Sequence, residues 1–162
     1  MAETKDQLDG KAKNIVRKYR ERMEKGLSLR SLLKQTPAYY KHQAIDYRVV
    51  LKTYSRKRTK GGMAAIVANA VSMENRPPRK VHKCSIIGLD KDNRQISTQR
   101  KVIVSCDCES FLFTFEYANW TWGASRIIYS NGEPAVVRNP ANHPGLCKHL
   151  VVLAKTIIDQ KD

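Results

Sequence analysis

The chain is short of acid, has no long apolar run, and shows no internal repeat and no low-complexity tract. Each shortage excludes something. Its 162 residues hold 15 Asp and Glu against 30 Lys and Arg, so the formal net charge is +15. A charge this large lies outside the usual range for a small domain and calls for anionic company: nucleic acid, an acidic protein surface or anionic lipid. The longest apolar run, Met63 to Val71, contains Asn69 and is half of what a bilayer-spanning helix needs, so no membrane partner is expected. The opening MAETKDQLDGK is charged from its third residue and lacks the apolar stretch of a secretory signal. The expectation is a soluble, intracellular protein of one domain, with a helical extension, long enough to bury a core without disulfides.

Catalytic groupings are missing too. The sequence offers no pair of carboxylates, no Ser/His/Asp grouping and no activated-thiol signature. The segment YSRKRTKGG, which ends in two glycines, lacks the spacing of a phosphate-binding loop. The expectation is that the protein is not an enzyme and takes no small-molecule substrate.

What is present is unevenly distributed. Residues 1–60 carry 17 basic and 6 acidic groups, residues 61–105 carry 8 and 3, and residues 106–162 carry 5 and 6. The polycation therefore ends where the last third begins. Leu8, Ala12, Ile15, Val16, Tyr19 and Met23 recur at helical spacing, with Thr4 and Gln7 as a capping box and Gly26 as the stop. The opposite face carries Lys13, Arg17, Lys18, Arg20 and Arg22. Ser28 caps a second short helix, LRSLLKQ, closed by Pro37. Residues 1–36 thus read as a basic helical arm and residues 37–162 as an α+β domain.

After Pro37 the pattern predicts strands. Tyr47, Val49 and Leu51 alternate with their neighbours, and YSRKRTKGG reads as a mobile basic loop containing Arg56, Lys57, Arg58 and Lys60. Residues 63–73 fit a buried strand or a short helix. Val81–Leu89 and Gln99–Cys108 read as strands of an antiparallel sheet, with Asp90–Asn93 as a turn.

The chemistry lies in the neutral third. Cys106 and Cys108 form Cys-x-Cys; after 38 residues, Cys147 and His149 form Cys-x-His. On a strand, positions i and i+2 share a face, so Cys106 and Cys108 present two thiols together. Cys147 stands ahead of an amphipathic helix whose apolar face is Leu150, Val151, Leu153, Ala154, Ile157 and Ile158, and His149 lies in its first turn. Three thiolates and an imidazole suit one tetrahedral Zn²⁺ per chain, closed to water and structural in role. The net negative charge of such a site would be offset by Lys148, Lys101 and the helix N-terminus. Burial in the core, or a disulfide in an oxidising compartment, is the plain alternative for these cysteines. Cys84 is expected to be a core thiol rather than a ligand. His143 is the substitute ligand, and His42 and His82 have no assigned role.

The pattern CDCESF followed by NPANHPGLCKHLVVLA resembles the SWIM-type zinc finger, whose signature is Cys-x-Cys, a spacer and Cys-x-His. The resemblance implies that Cys106, Cys108, Cys147 and His149 hold zinc on a β-hairpin followed by a packed helix, within about residues 100–158. The spacer is longer here than in the usual finger. Asn131-Gly132 predicts a hairpin inside it. Its aromatics, Phe111, Phe113, Phe115, Tyr117, Trp120 and Trp122, are expected in the core rather than on a base-stacking platform.

With YANW, NGEP and GLCKHL, residues 80–158 also resemble small zinc-binding virion proteins of tailed bacteriophages. That resemblance implies a component of a phage particle, at the neck, tail or baseplate, assembled in the host cytoplasm, with zinc as a fold staple. The basic arm would then meet acidic surfaces of neighbouring subunits, or DNA. The alternative is a cytoplasmic nucleic-acid-binding accessory protein that uses the basic two-thirds.

Overall fold

The computed structural model describes residues 2–160. The architecture is α+β: three N-terminal helices, a four-stranded antiparallel sheet, a helical insert and a C-terminal helix.

Helix α1 (Lys5–Lys25) opens on the expected capping box: the Thr4 hydroxyl accepts the Gln7 N–H, and the Gln7 side chain accepts the Thr4 N–H. It stops at Gly26, whose φ of 56° favours glycine and where a Cβ would strike the Lys101 side chain at 2.7 Å. Leu8, Ile15 and Val16 are 52–55 % exposed, so this stripe lies on no core of its own chain. The side chains of Tyr19 and Met23 lie outside the described residues. α1 is tied down near its end, where the Arg22 guanidinium stands 5.2 Å from the centre of the Trp122 ring and Lys101 Nζ donates to the Glu24 carbonyl.

Helix α2 (Leu29–Gln35) belongs to the core rather than to a projecting arm. Ser28 caps it, and Leu29 and Leu32 are fully buried. Pro37 then starts a helix instead of a strand: α3 spans Ala38–Asp46. A proline at a helix start loses no hydrogen bond, because N–H groups there have no intrahelical partner. Tertiary packing supplies the rest, since Ala44 is buried and Tyr40 meets Phe115 edge-on at 4.8 Å.

The sheet runs β1 (Val49–Arg58), β2 (Ala64–Ser72), β3 (His82–Gly88), β4 (Val102–Cys106), in that order. The basic segment expected as a loop is mostly strand: Tyr54–Arg58 pairs with Ala64–Ala68, and only residues 59–63 turn. The ambiguous run 63–73 is a strand because it is internal, hydrogen-bonded on one side to β1 and on the other to β3. Ile66, Ala68 and Ala70 face α5 (Lys148–Gln160), which buries Leu150, Val151, Leu153, Ala154 and Ile157. Small alanines on β2 leave room for the larger side chains of the helix.

The insert is helical. A π-type turn, Phe111–Phe115, leads into α4 (Glu116–Thr121). Phe111 and Phe115 enter the core as expected, but Phe113 is exposed. No strand forms in residues 122–147, so the hairpin expected at Asn131-Gly132 is absent. Glu116 explains why. Its buried carboxylate accepts the N–H groups of Ile128, Tyr129 and Ser130, which a hairpin would have paired across a ladder.

Candidate metal centre

The strands end at two opposed edges. At one lie Ser72, His82 and Cys106; at the other lie Arg58, Ala64, Gly88 and Val102. The metal donors gather at the first. Cys106 closes β4 directly across from Cys84 of β3. Cys108 lies beyond the strand, at the entry to the helical insert, where the Phe111 N–H donates to its Sγ at 3.4 Å. The four-residue motif therefore spans the end of the antiparallel β3–β4 pair and two helix starts. Cys147 immediately precedes α5, and its carbonyl accepts the Val151 N–H at 2.8 Å. His149 sits in the first turn of that helix.

The ligand atoms of Cys106, Cys108, Cys147 and His149 all lie within 4.8 Å of one another, and all four residues are buried. Metal–sulfur bonds of about 2.3 Å at tetrahedral angles set sulfurs roughly 3.8 Å apart. The group can therefore hold a metal ion with little rearrangement, and burial leaves no side open to water. It also lies at the start of α5, where the helix dipole favours negative charge.

Electrostatics alone shares the protons unequally. Hydrogen bonds from Cys106 and then Cys147 hold the Cys108 thiol far below its ordinary range. The bond to Cys108 pushes Cys106 well up, and burial pushes Cys147 well up. Three thiolates side by side repel, and a dication removes that restraint.

Residues that the motif did not announce hold the donors in place. The Ser72 hydroxyl lies 3.4 Å from His149 Nε2, which turns Nδ1 toward the sulfurs, 3.9 Å from Cys106. The Asn119 side chain clamps Gly145, accepting its N–H and donating to its carbonyl, both at 2.9 Å. The Thr36 hydroxyl accepts the Leu146 N–H at 2.9 Å. Together these fix the approach to Cys147 from α2 and α4, and a Cβ at position 145 would strike Phe115 at 2.6 Å. His82, given no role in the sequence, tilts against His149 with ring centres 4.5 Å apart and meets Asp107 at 3.0 Å through Nδ1. Burial, then the neighbouring His149, lowers the His82 pKa. The Cys-x-Cys spacing pointed to two thiols; nothing in it pointed to the partners, which come from β2, β3 and two helices.

Cys84 stays outside the four-donor group, although its Sγ donates to Cys106 Sγ at 3.6 Å. His143 is exposed on a loop held by Asn139 and is not among the donors. The expected charge partners are occupied elsewhere: Lys148 Nζ lies over the Tyr47 ring at 4.3 Å, and Lys101 binds the end of α1. The basic residues fall in two surface groups. Lys13, Arg17, Lys18 and Arg20 are exposed on α1, with Arg17 3.8 Å from Glu21, whereas Arg22 is engaged by Trp122. Arg56, Lys57, Arg58 and Lys60 are exposed at the opposite end of the sheet from the metal donors.

No described helix is long and apolar enough to cross a membrane. Comparison of the chain with protein-family models, with curated proteins and with solved structures finds no match.

Proposed function

We propose that the chain is a zinc-stapled, non-catalytic interaction protein whose basic helix α1 docks on an acidic surface of a larger assembly. The observation that carries the metal half is the closed set of buried donors, Cys106, Cys108, Cys147 and His149, within 4.8 Å of one another. Three sulfurs and one nitrogen at tetrahedral reach suit Zn²⁺, and the lack of an open position gives the ion a structural role. When bound, zinc supplies cross-linking between β4, the insert and α5. The second half is supported by the exposed stripe of Leu8, Ile15 and Val16 among the lysines and arginines of α1. An amphipathic helix gains its stability mainly by packing.

Metal analysis of the purified protein is the first test. Zinc near one equivalent per chain is expected; no stoichiometric metal, or a disulfide between any two of Cys106, Cys108 and Cys147, overturns the reading.

The assembly we favour is a tailed-phage particle, with the chain at the neck, tail or baseplate. This rests on the resemblance of residues 80–158 to small virion proteins. Detection of the chain in purified particles tests it. Lys13→Glu with Arg17→Glu and Arg20→Glu should remove the chain from the particle and leave its zinc in place. A chain lacking residues 2–25 should behave the same way. Deletion further, through α2, would strip Leu29 and Leu32 from the core. Normal incorporation of the shortened chain would overturn the role of α1.

A further inference from the structure

The end of the sheet away from the metal donors carries a feature that the zinc reading does not use. A cleft of about 390 Å³ lies between the β1–β2 hairpin and the β3–β4 connection. Arg56, Lys57 and Arg58 line it from β1, and Arg94 lines it from the connection. Ala64, Ile66 and Ile96 form its apolar part, and no carboxylate lines it. Arg56 lies opposite Ile66 and Arg58 opposite Ala64, so the two arginines share one face of the strand, about 6.8 Å apart along it. Each can meet its own phosphate. Arg58 is steadied by donating to the Gly62 carbonyl at 2.6 Å. Among the described residues, no ion pair engages Arg56, Lys57, Arg58 or Arg94. A second cleft, about 480 Å³, lies on the same connection and is lined by Lys25, Lys91, Arg100 and Lys101, with Asp90 as its one acid.

The occupant follows from what this end lacks. The large exposed apolar residues lie on α1, α3, the start of β1, Val81 and the insert; none lies on the hairpin end of β1–β2 or on the β3–β4 connection. A protein partner would want an apolar or aromatic anchor at the centre of its interface. A membrane would want an apolar face to insert. A phosphate backbone wants neither, and planar guanidinium forks match its oxygens in pairs. No aromatic side chain lines either cleft, so there is no platform on which unpaired bases could stack.

We propose that this end of the sheet binds the phosphate backbone of duplex DNA without reading sequence, with Arg56, Arg58 and Arg94 as the principal contacts. The second cleft extends the cationic track past the connection. Its principal contacts are neither zinc ligands nor part of α1, so it succeeds or fails independently of the staple.

The test uses the full-length zinc-loaded chain and a fluorescein-labelled duplex of about 20 base pairs, titrated by anisotropy from about 50 to 200 mM KCl. Two unrelated duplex sequences are expected to bind equally, with affinity falling steeply and linearly on a log–log plot. Arg56→Gln with Arg58→Gln and Arg94→Gln should weaken binding at low salt by about tenfold or more and flatten the salt slope by about 2.7, at ~0.9 per lost phosphate contact. Arg17→Gln with Lys18→Gln and Arg20→Gln removes equal charge from α1 and should leave the slope nearly unchanged. If the triple cleft variant loses zinc or its circular dichroism spectrum, Arg94→Gln alone, outside any strand, should flatten the slope by about 0.9. Absence of binding at the lowest salt, equal loss in the α1 variant, or equal affinity for a single strand or an RNA duplex of the same length overturns the proposal.

Discussion

Ser72 on β2 and His149 on α5 meet at 3.4 Å, hydroxyl oxygen to Nε2, beneath the metal donors. That contact selects the nitrogen His149 turns toward the sulfurs and couples the sheet to the helix that carries His149 and follows directly on Cys147. A ligand imidazole whose outer nitrogen is held loses less freedom when it binds metal.

Ser72→Ala should therefore keep one zinc per chain but hold it about tenfold more weakly, as measured by competition with a chelator. Unchanged affinity would mean that α5 alone orients the ring.

Cys108→Ser removes the thiol that most readily ionises and the acceptor of the Phe111 N–H. Leu29, Leu32, Ile66 and Ile86 share one buried cluster with the cysteines but lie on α2, β2 and β3, outside the metal-held third. Hydrogen exchange should show residues 100–155 opening first while β1 and β2 stay protected. Unchanged protection across 100–155 would show that the metal is not what holds this third together.

Cys84→Ala should keep the full metal content and cost about 1 kcal/mol in chemical denaturation, the price of a small cavity beside Cys106. Loss of metal would show that its sulfur is a ligand.

Glu116 is fully buried and its Oε1 accepts three backbone N–H groups and the Ser130 hydroxyl. Glu116→Ala should destabilise the chain by about 3 kcal/mol and expose the amides of Ile128, Tyr129 and Ser130 to exchange, with zinc retained. Retained protection of those amides would assign the loop's order to something other than the carboxylate.

Zinc affinity should rise with pH. Cys106 and Cys147 have raised pKa values, so their protons are held at neutral pH and must leave when the metal binds. Displacing two protons makes affinity climb by roughly two decades per pH unit, and fall correspondingly in acid. Chelator competition at several pH values reads this slope directly; a flat profile would mean that both thiols are already ionised.

The sequence by itself determined the features that depend on near neighbours. The Thr4–Gln7 capping box, the stop at Gly26, the Ser28 cap and the apolar face of α5 are local patterns, and the structure has each of them. The four metal donors were legible for the same reason: each pair is two residues apart, and each sits at the edge of a recognisable element. Tertiary structure decided what depends on distant partners. α3 is a helix because Tyr40 and Ala44 find Phe115 and the core. Residues 54–58 are strand, despite their charge, because β2 lies beside them. The Asn131-Gly132 hairpin gave way because a buried carboxylate from α4 offered the same N–H groups better acceptors. Ser72, Asn119 and Thr36 support the metal ligands from 77, 26 and 110 residues away from their partners. A local pattern encodes a propensity; which buried polar group satisfies which backbone is settled only when the chain has closed on itself.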